Sequence, residues 1–305
     1  MRLDTTLIEQ QLKNYYGLDK IECKTLNTLA NYAIEVTSPN GHFALKIYNP
    51  ASRTAAEVQW EIDLTLHLIK YNVPVAKPVM GKDSQYLQTF TIGNQNLTVV
   101  LFEWALGNKP KPELSTYNLI GEAAAHIHNA ADTFTSKYPR EEYDIHKLID
   151  DQLKRMQEPL KEFGQWNTVL DISNRMRKIM LDANLDYGII HNDLTLDNVH
   201  LYKGKVTVFD LDSAAKSWRA AEPWGVLKAS EDRFKAWLVG YRANRDFNTD
   251  NENAVPAFVI IEDIRNTVWK LGLAKSSRGK PLIKPSNLPQ IVNEWLKWEK
   301  DRITY

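Results

Sequence analysis

The spacing of hydrophobic residues divides the chain into a strand-rich part and a helical part, and this division constrains the fold more than any other feature. Between residue 21 and about residue 103, apolar and polar residues alternate in several segments, as in "YAIEVTS", "HFALKIY" and "NLTVVLFEW". An alternation with period two predicts half-buried strands. Beyond residue 112 the spacing becomes helical, as in "YNLIGEAAAHIHNAADTF". The sequence therefore predicts an α+β protein with a small strand-rich N-lobe and a larger, mostly helical C-lobe.

The boundary between the lobes is predicted where turn residues cluster. "ALGNKPKP" carries one glycine and two prolines, a composition typical of a linker. One prominent helix is expected in the N-lobe, from about Thr54 to Tyr71, with Ala56, Trp60, Leu64 and His67 or Leu68 on its inner stripe. The predicted domains are an N-terminal lobe at residues 1–103, a linker at 104–112 and a C-terminal lobe at 113–305.

Composition excludes several classes of protein. The 38 Lys and Arg residues balance 38 Asp and Glu residues, so net charge gives no reason to expect nucleic acid or a charged membrane surface as partner. No apolar stretch reaches the roughly 18 residues of a membrane span, and charged residues interrupt the amino terminus where a signal peptide would need an apolar core. The single cysteine, Cys23, makes an intrachain disulfide impossible. We expect a cytoplasmic protein.

Residues 191–212, "HNDLTLDNVHLYKGKVTVFDLD", carry the strongest chemical signal. Two short strands around Lys203-Gly204 are expected to form a hairpin that brings its ends close together. Asn198 at one end and Asp210 at the other could then share a hard cation, for which carboxylate and amide oxygens suit Mg²⁺. Asp193, just before this pair, could accept a proton from an attacking hydroxyl. Such a set is what phosphoryl transfer requires, since that reaction depends on positioning and charge neutralisation.

A second polar set supports this interpretation. Lys46, in "FALK", is predicted on the face of its strand opposite Phe43 and Leu45. The next helix carries Glu57 and Glu61, four residues apart and therefore on one face. A strand lysine paired with a helix glutamate can hold the α- and β-phosphates of a nucleotide.

The chain resembles the aminoglycoside phosphotransferase/choline kinase family over nearly its whole length. "FALK", "VQWEIDLTLHL", "VLFEWALG", "LIGEAAAHIH", "HNDLTLDN" and "FDLD" are similar to the family's motifs. The resemblance implies a protein-kinase-like bilobal fold with an antiparallel N-lobe sheet, use of ATP and Mg²⁺, and a small-molecule hydroxyl as phosphate acceptor.

The resemblance also implies roles for individual residues. By that likeness Asp193 is the catalytic base, and His191 braces its loop through hydrogen bonds. Asn198 and Asp210 hold Mg²⁺, with Asp212 assisting a second ion. The implied nucleotide contacts are Lys46, Glu61 (favoured over Glu57) and the linker backbone at Glu103 and Ala105.

Two departures from the family pattern stand out. Asn192 occupies the glycine position of the more frequent His-Gly-Asp. Residues 26–33, "LNTLANYA", contain no glycine where protein kinases have a glycine-rich phosphate flap, so backbone amides near Thr28 to Tyr32 are expected to cover the phosphates instead.

The acceptor is expected beside Asp193, against the C-lobe. The predicted wall residues are Glu222, Trp224, Tyr241 and Arg242, with Asp263, Arg265 and Trp269 as further candidates. Six of the nine tryptophans lie at or after Trp218, which would suit an aromatic cage for a cationic amine, although tryptophans in helices more often pack in the core. The acceptor could be an amino alcohol, a hydroxyamino acid such as homoserine, a sugar or an aminoglycoside.

Two alternatives to a small-molecule kinase remain open. Bacterial stress-response protein Ser/Thr kinases share the fold, and "VFDLDSAAKSWRAAEPWGVL" is somewhat like theirs, but no activation segment or peptide-docking signature follows Asp212. A catalytically silent nucleotide-binding module is the other alternative. The presence of Lys46, Asp193, Asn198 and Asp210 opposes it.

Overall fold

The computed structural model describes residues 4–28, 30–274 and 281–304. The chain divides into two compact units, and each is made of separate chain segments. The N-terminal unit comprises Met1–Asn108, Phe134–Arg140 and His200–Asp212. The C-terminal unit comprises Lys109–Thr133, Glu141–Val199 and Ser213–Tyr305.

An antiparallel five-stranded sheet forms the centre of the N-terminal unit, with strand order β1-β2-β3-β5-β4. The predicted alternation along β3 is confirmed. Leu45 and Ile47 are buried in a core that also includes Ile8, whereas Tyr48 packs with Val58 of the following helix. The elements are α1 (Thr5–Tyr16), β1 (Glu22–Leu26), β2 (Tyr32–Ser38), β3 (Gly41–Ile47), α2 (Ala55–Lys70), β4 (Leu87–Ile92) and β5 (Gln95–Glu103).

Helix α2 begins with a capping box, in which Thr54 and Glu57 satisfy each other's backbone N–H groups. Its buried stripe is wider than the one predicted: Val58, Glu61 and Ile62 are buried, while Ala56 and His67 are only partly covered. The reason is contact with the sheet: Val58 and Ile62 pack with Tyr48 and Val100, and Glu61 pairs with Lys46. Trp60, on the predicted stripe, meets Phe134 edge to face.

Helices dominate the C-terminal unit, as predicted. Its helices are α3 (Leu114–Ala131), α4 (Asp151–Glu162), α5 (Trp166–Asp182), α6 (Trp224–Ala229), α7 (Glu231–Arg242), α8 (Thr249–Lys270) and α9 (Leu288–Arg302). A wide π turn at His146–Asp150 precedes α4, where a regular helix was expected. An unpredicted antiparallel pair joins β6 (Tyr187–Ile190) to β9 (Ala215–Trp218).

Two glycines allow α3 and α7 to approach closely. A Cβ added to Gly121 would lie 2.0 Å from the carbonyl oxygen of Trp237, and one added to Gly240 would lie 1.9 Å from that of Asn118. Only a residue without a side chain permits backbone contact at this distance.

The predicted hairpin is confirmed. Strands β7 (Val199–Tyr202) and β8 (Lys205–Val208) pair, and Lys203 and Gly204 both have positive φ, 48° and 74°. Such a pair of dihedrals is typical of the tight turns that match strand twist. Among the described residues, no helix combines the length and apolar character needed to cross a membrane.

Candidate active site

Lys46 lies between two carboxylates in the N-terminal unit. Its Nζ is 2.9 Å from Oε1 of Glu61 and 2.6 Å from Oδ1 of Asp210. Burial alone would lower the pKa of Lys46, but the charges of Asp210 and Glu61 outweigh it and hold that pKa well above its usual range. Lys46 is therefore a fixed ammonium group.

Glu61 and Glu57 make different contacts: Glu61 pairs with Lys46, and Glu57 caps α2. Burial raises the pKa of Glu61, although the Lys46 charge opposes this. Glu57 instead belongs to the capping box at the start of α2. The lysine–glutamate contact implied by the resemblance is thus present with Glu61.

Asp210 follows β8 in a left-handed backbone conformation, with φ 63°. Non-glycine residues adopt this conformation infrequently, and functional sites are enriched in it. Its side chain is 43% exposed even though Oδ1 contacts Lys46. An accessible carboxylate of this kind fits the ligand chemistry of Mg²⁺.

Asp212 differs from Asp210, because protein groups already occupy its carboxylate. Oδ1 accepts from Nε of Arg53 at 2.9 Å, and Oδ2 accepts from Nδ2 of Asn31 at 3.0 Å. Arg53 and Arg140 also donate to its backbone carbonyl. Burial would raise the pKa of Asp212, but the charges of Lys46 and Arg53 outweigh it and keep that pKa far below its usual range. This arrangement does not support the predicted role of Asp212 as ligand of a second ion.

The residues predicted to contact adenine lie at the end of β5. Glu103 is exposed, and Trp104 stacks on His42 with ring centroids 4.2 Å apart. The carbonyl oxygen of Ala105 is 2.7 Å from Nδ1 of His200 and accepts from it.

The glycine-free stretch 26–33 was predicted to cover the phosphates. Within it, Oγ1 of Thr28 donates to the carbonyl of Asn31, and Leu29 lies outside the described residues.

The predicted catalytic loop follows β6 in the C-terminal unit. Asp193 is exposed, and its backbone N–H donates to Nδ1 of buried His191 at 3.3 Å. Nδ2 of Asn198 donates both to the backbone carbonyl and to Oδ2 of Asp193, at 2.8 and 2.9 Å. The amide of Asn198 therefore orients the candidate base, and its Oδ1 is the end of the side chain suited to a cation.

The backbone conformation of Asn192 explains the departure from His-Gly-Asp. Its φ is 65°, in the left-handed region that favours glycine. Asparagine tolerates this region better than other side chains do. The same loop geometry is thus compatible with either residue.

A buried chain of hydrogen bonds holds the loop from below. The carboxylate of Glu222 accepts from the backbone N–H groups of His191 at 2.7 Å and Asn192 at 3.0 Å. Nε2 of His128 lies 3.1 Å from Glu222, and Nδ1 lies 2.8 Å from the hydroxyl of Tyr241. Burial holds the pKa of His128 well below its usual range. Neutral His128 satisfies both contacts if Nε2–H donates to Glu222 and Nδ1 accepts from Tyr241.

These buried hydrogen bonds show that two residues predicted to line the acceptor wall have another role. Glu222 is 5% exposed and Tyr241 is fully buried, so their side chains support the loop and cannot line a binding surface. Arg242 is exposed but binds Glu252 and the carbonyl of Phe247. Trp224 is partly exposed at the start of α6, and its predicted role stays a prediction.

Arg219 had no role in the sequence-based prediction. It is 2% exposed and joins the end of α3 to the residue before β6: Nη1 binds both carboxylate oxygens of Asp186, while Nη2 binds Asp132 and the carbonyl of His128. An arginine among alanines, in "WRAAEP", is a weak signal of burial. His128 was recognisable only as one of two histidines in an alanine-rich helix.

Asn198 in the C-terminal unit and Asp210 in the N-terminal unit each carry a side-chain oxygen of the kind that Mg²⁺ binds. No group of three or more His, Cys, Asp or Glu side chains placed to hold a metal occurs among residues 4–28, 30–274 and 281–304. The predicted roles of both residues as metal ligands stay predictions.

Comparison with known proteins identifies the family. Residues 25–254 match the phosphotransferase enzyme family. The chain belongs to this family. The prediction of an aminoglycoside phosphotransferase/choline kinase relative is confirmed, and so is the assignment as a phosphotransferase with a protein-kinase-like fold.

Two proteins similar to this chain have named activities. The chain is 26% identical over 287 residues to homoserine kinase of Hyphomonas neptunium, a match that covers 85% of this chain and 82% of that protein. It is 25% identical over 211 residues to amicoumacin kinase of Bacillus subtilis, covering 67% of this chain and 61% of that protein.

A solved structure supports the same fold. Amicoumacin kinase hAmiN, in complex with AMP-PNP, Ca²⁺ and Ami, superposes with a TM-score of 0.77 at 17% identity, covering 98% of this chain and 94% of that one. At this identity the likeness establishes the fold. That relative binds a nucleotide analogue and a divalent cation.

Proposed function

We propose that this phosphotransferase moves the γ-phosphoryl group of ATP, with Mg²⁺, to a hydroxyl of a small molecule. The observation that carries the proposal is the Asp193 carboxylate, which is exposed while its Oδ2 is held by Asn198. An exposed, oriented carboxylate can accept the proton of an attacking hydroxyl.

The remaining roles follow from the chemistry of each group. Lys46, kept charged by Glu61 and Asp210, would bind nucleotide phosphates. Bound Mg²⁺ would supply charge neutralisation, with Asn198 and Asp210 as its protein ligands. Because His200 occupies the carbonyl of Ala105, an adenine contact at that residue would use its N–H.

The acceptor belongs to the hydroxylated small molecules that include amino alcohols, hydroxyamino acids, sugars and aminoglycosides. Relatives named homoserine kinase and amicoumacin kinase support a small acceptor over a protein. We also propose that the enzyme acts in the cytoplasm.

The test is ADP release from Mg·ATP in the presence of separate pools of these acceptors and of model proteins. Asp193→Asn should lower turnover by about 100-fold or more, while Mg·ATP binding measured by calorimetry stays near the wild-type value. Asp197→Asn is the matched control, since Asp197 is an exposed aspartate of the same loop that pairs with Lys109.

Three outcomes would contradict parts of the proposal. Normal turnover in Asp193→Asn would exclude Asp193 as base. Turnover with model proteins alone would favour a protein kinase. ATP binding without turnover in any pool would favour a binding module.

A further inference from the structure

Arg265 of α8 lies beside the catalytic loop in the C-terminal unit. Its Nη2 is 3.5 Å from Oδ1 of Asn192, the residue before the candidate base. Its guanidinium group also lies over the ring of Tyr143, 5.1 Å from the centroid. The side chain is 22% exposed, so it is held in place and still reaches solvent.

Glu262 fixes the orientation of this arginine. Its Oε2 accepts from Nε and Nη2 of Arg265, each at 2.6 Å, and the Glu262 side chain is buried. Burial would lower the pKa of Arg265, but the nearby charge of Glu262 outweighs it and raises that pKa. Arg265 therefore remains charged in one fixed position.

The contacts leave one edge of the guanidinium group available. Glu262 contacts the side of the guanidinium group that is formed by Nε and Nη2. Nη1 makes no hydrogen bond within the described part of the chain. Nη1 and Nη2 form the end of the fork that can bind both oxygens of a carboxylate in parallel. The structure thus places an arginine that could bind a carboxylate through two hydrogen bonds beside the candidate base.

We propose that Arg265 binds a carboxylate of the phosphate acceptor, so that the preferred acceptor is a hydroxy acid such as a hydroxyamino acid. The inference rests on the proposed phosphotransferase function. An anionic acceptor next to Asp193 would be repelled by that carboxylate unless a cation compensated for it, and Arg265 provides this cation. Its charge also acts on Asp193 directly.

The test compares acceptors that differ only in the carboxylate. L-Homoserine is paired with 3-aminopropan-1-ol, L-serine with ethanolamine, and L-threonine with 1-aminopropan-2-ol. The wild-type enzyme should have a higher kcat/KM for the carboxylate member of the pair it accepts. Arg265→Gln should lower that value by about 10- to 100-fold, the range expected for a lost hydrogen bond to a charged group, and change the decarboxylated partner by about twofold or less.

Two further variants separate recognition from structural support. Arg265→Lys keeps the charge without the planar fork, so its kcat/KM for the carboxylate acceptor should fall between wild type and Arg265→Gln. Arg233→Gln is the matched control, because Arg233 also stacks on a tyrosine, 5.3 Å from the Tyr117 centroid, within the same unit. It should leave the preference unchanged.

Equal losses for both members of a pair would mean that Arg265 only supports the loop, and would overturn the proposal. A wild-type preference for the decarboxylated acceptors would overturn it while leaving phosphotransfer intact. Failure of every acceptor pool would instead remove the proposed function, and this inference with it.

Discussion

Asn192 holds the backbone before the candidate base in a conformation that most residues avoid. Its φ of 65° places it in the left-handed region. We expect Asn192→Ala to lower the free energy of unfolding by about 1 kcal/mol more than Asn192→Gly, because a Cβ without a compensating polar group is strained there. Urea denaturation of the two variants measures this difference. Equal losses would show that the side-chain contacts of Asn192 matter more than its backbone.

Motif residues were recognisable in the sequence because each lies in a short local pattern. His191, Asp193 and Asn198 span eight residues, and their hydrogen bonds form within that span. Asn31 and Arg53 were not predicted, because they meet Asp212 across 181 and 159 residues. Spacing along a sequence carries no signal for such long-range partners. Most of the polar support around the loop is of this kind.

The crossing of α3 and α7 depends on Gly121 and Gly240. We expect Gly121→Ala and Gly240→Ala each to lower the free energy of unfolding by about 1–3 kcal/mol, since the added methyl group must displace backbone atoms. Gly225→Ala is the control, because a Cβ there meets nothing within 4 Å and alanine favours the helix. Thermal or urea unfolding would compare the three. A loss at Gly225 equal to the others would contradict the close-packing explanation, because the added methyl group meets no neighbour there.

Element types were predictable because period-two and helical spacings differ clearly. The β3 alternation and the turn at Lys203-Gly204 are confirmed in detail. The wider buried stripe of α2 was not predicted, because Val58 and Ile62 pack with Tyr48 and Val100, and the helical spacing of α2 alone does not identify these partners. The β6–β9 pair was missed because each strand has only four residues and, unlike β7 and β8, the two are not joined by a tight turn.

At the scale of the whole molecule, stability in acid depends on aspartates paired with buried arginine. Burial would raise the pKa values of Asp132 and Asp186, but hydrogen bonds and charges from Arg219 and Arg245 outweigh it and lower them. Their contribution to stability is therefore complete above about pH 4, the unfolded value, and is lost as pH falls through the folded pKa values.

Asp186→Asn should flatten this pH dependence. The free energy of unfolding, measured in urea from pH 3 to pH 6, should rise less steeply with pH in the variant below about pH 4 than in wild type. Asp171→Asn, at an exposed position of α5, should keep the wild-type slope. An unchanged slope in Asp186→Asn would show that other carboxylates control acid unfolding.

The division of each unit into separate segments has a consequence for synthesis on the ribosome. Lys46 can meet Glu61 early, but its second partner, Asp210, is made 164 residues later. At about 5 to 20 residues per second, Asp210 follows Lys46 by roughly 8 to 33 s. During that interval the N-terminal unit lacks residues 200–212, so the unit is incomplete until that segment has been made. A nascent chain stopped before Asp210 would therefore carry a Lys46 whose charge is compensated by Glu61 but not by Asp210.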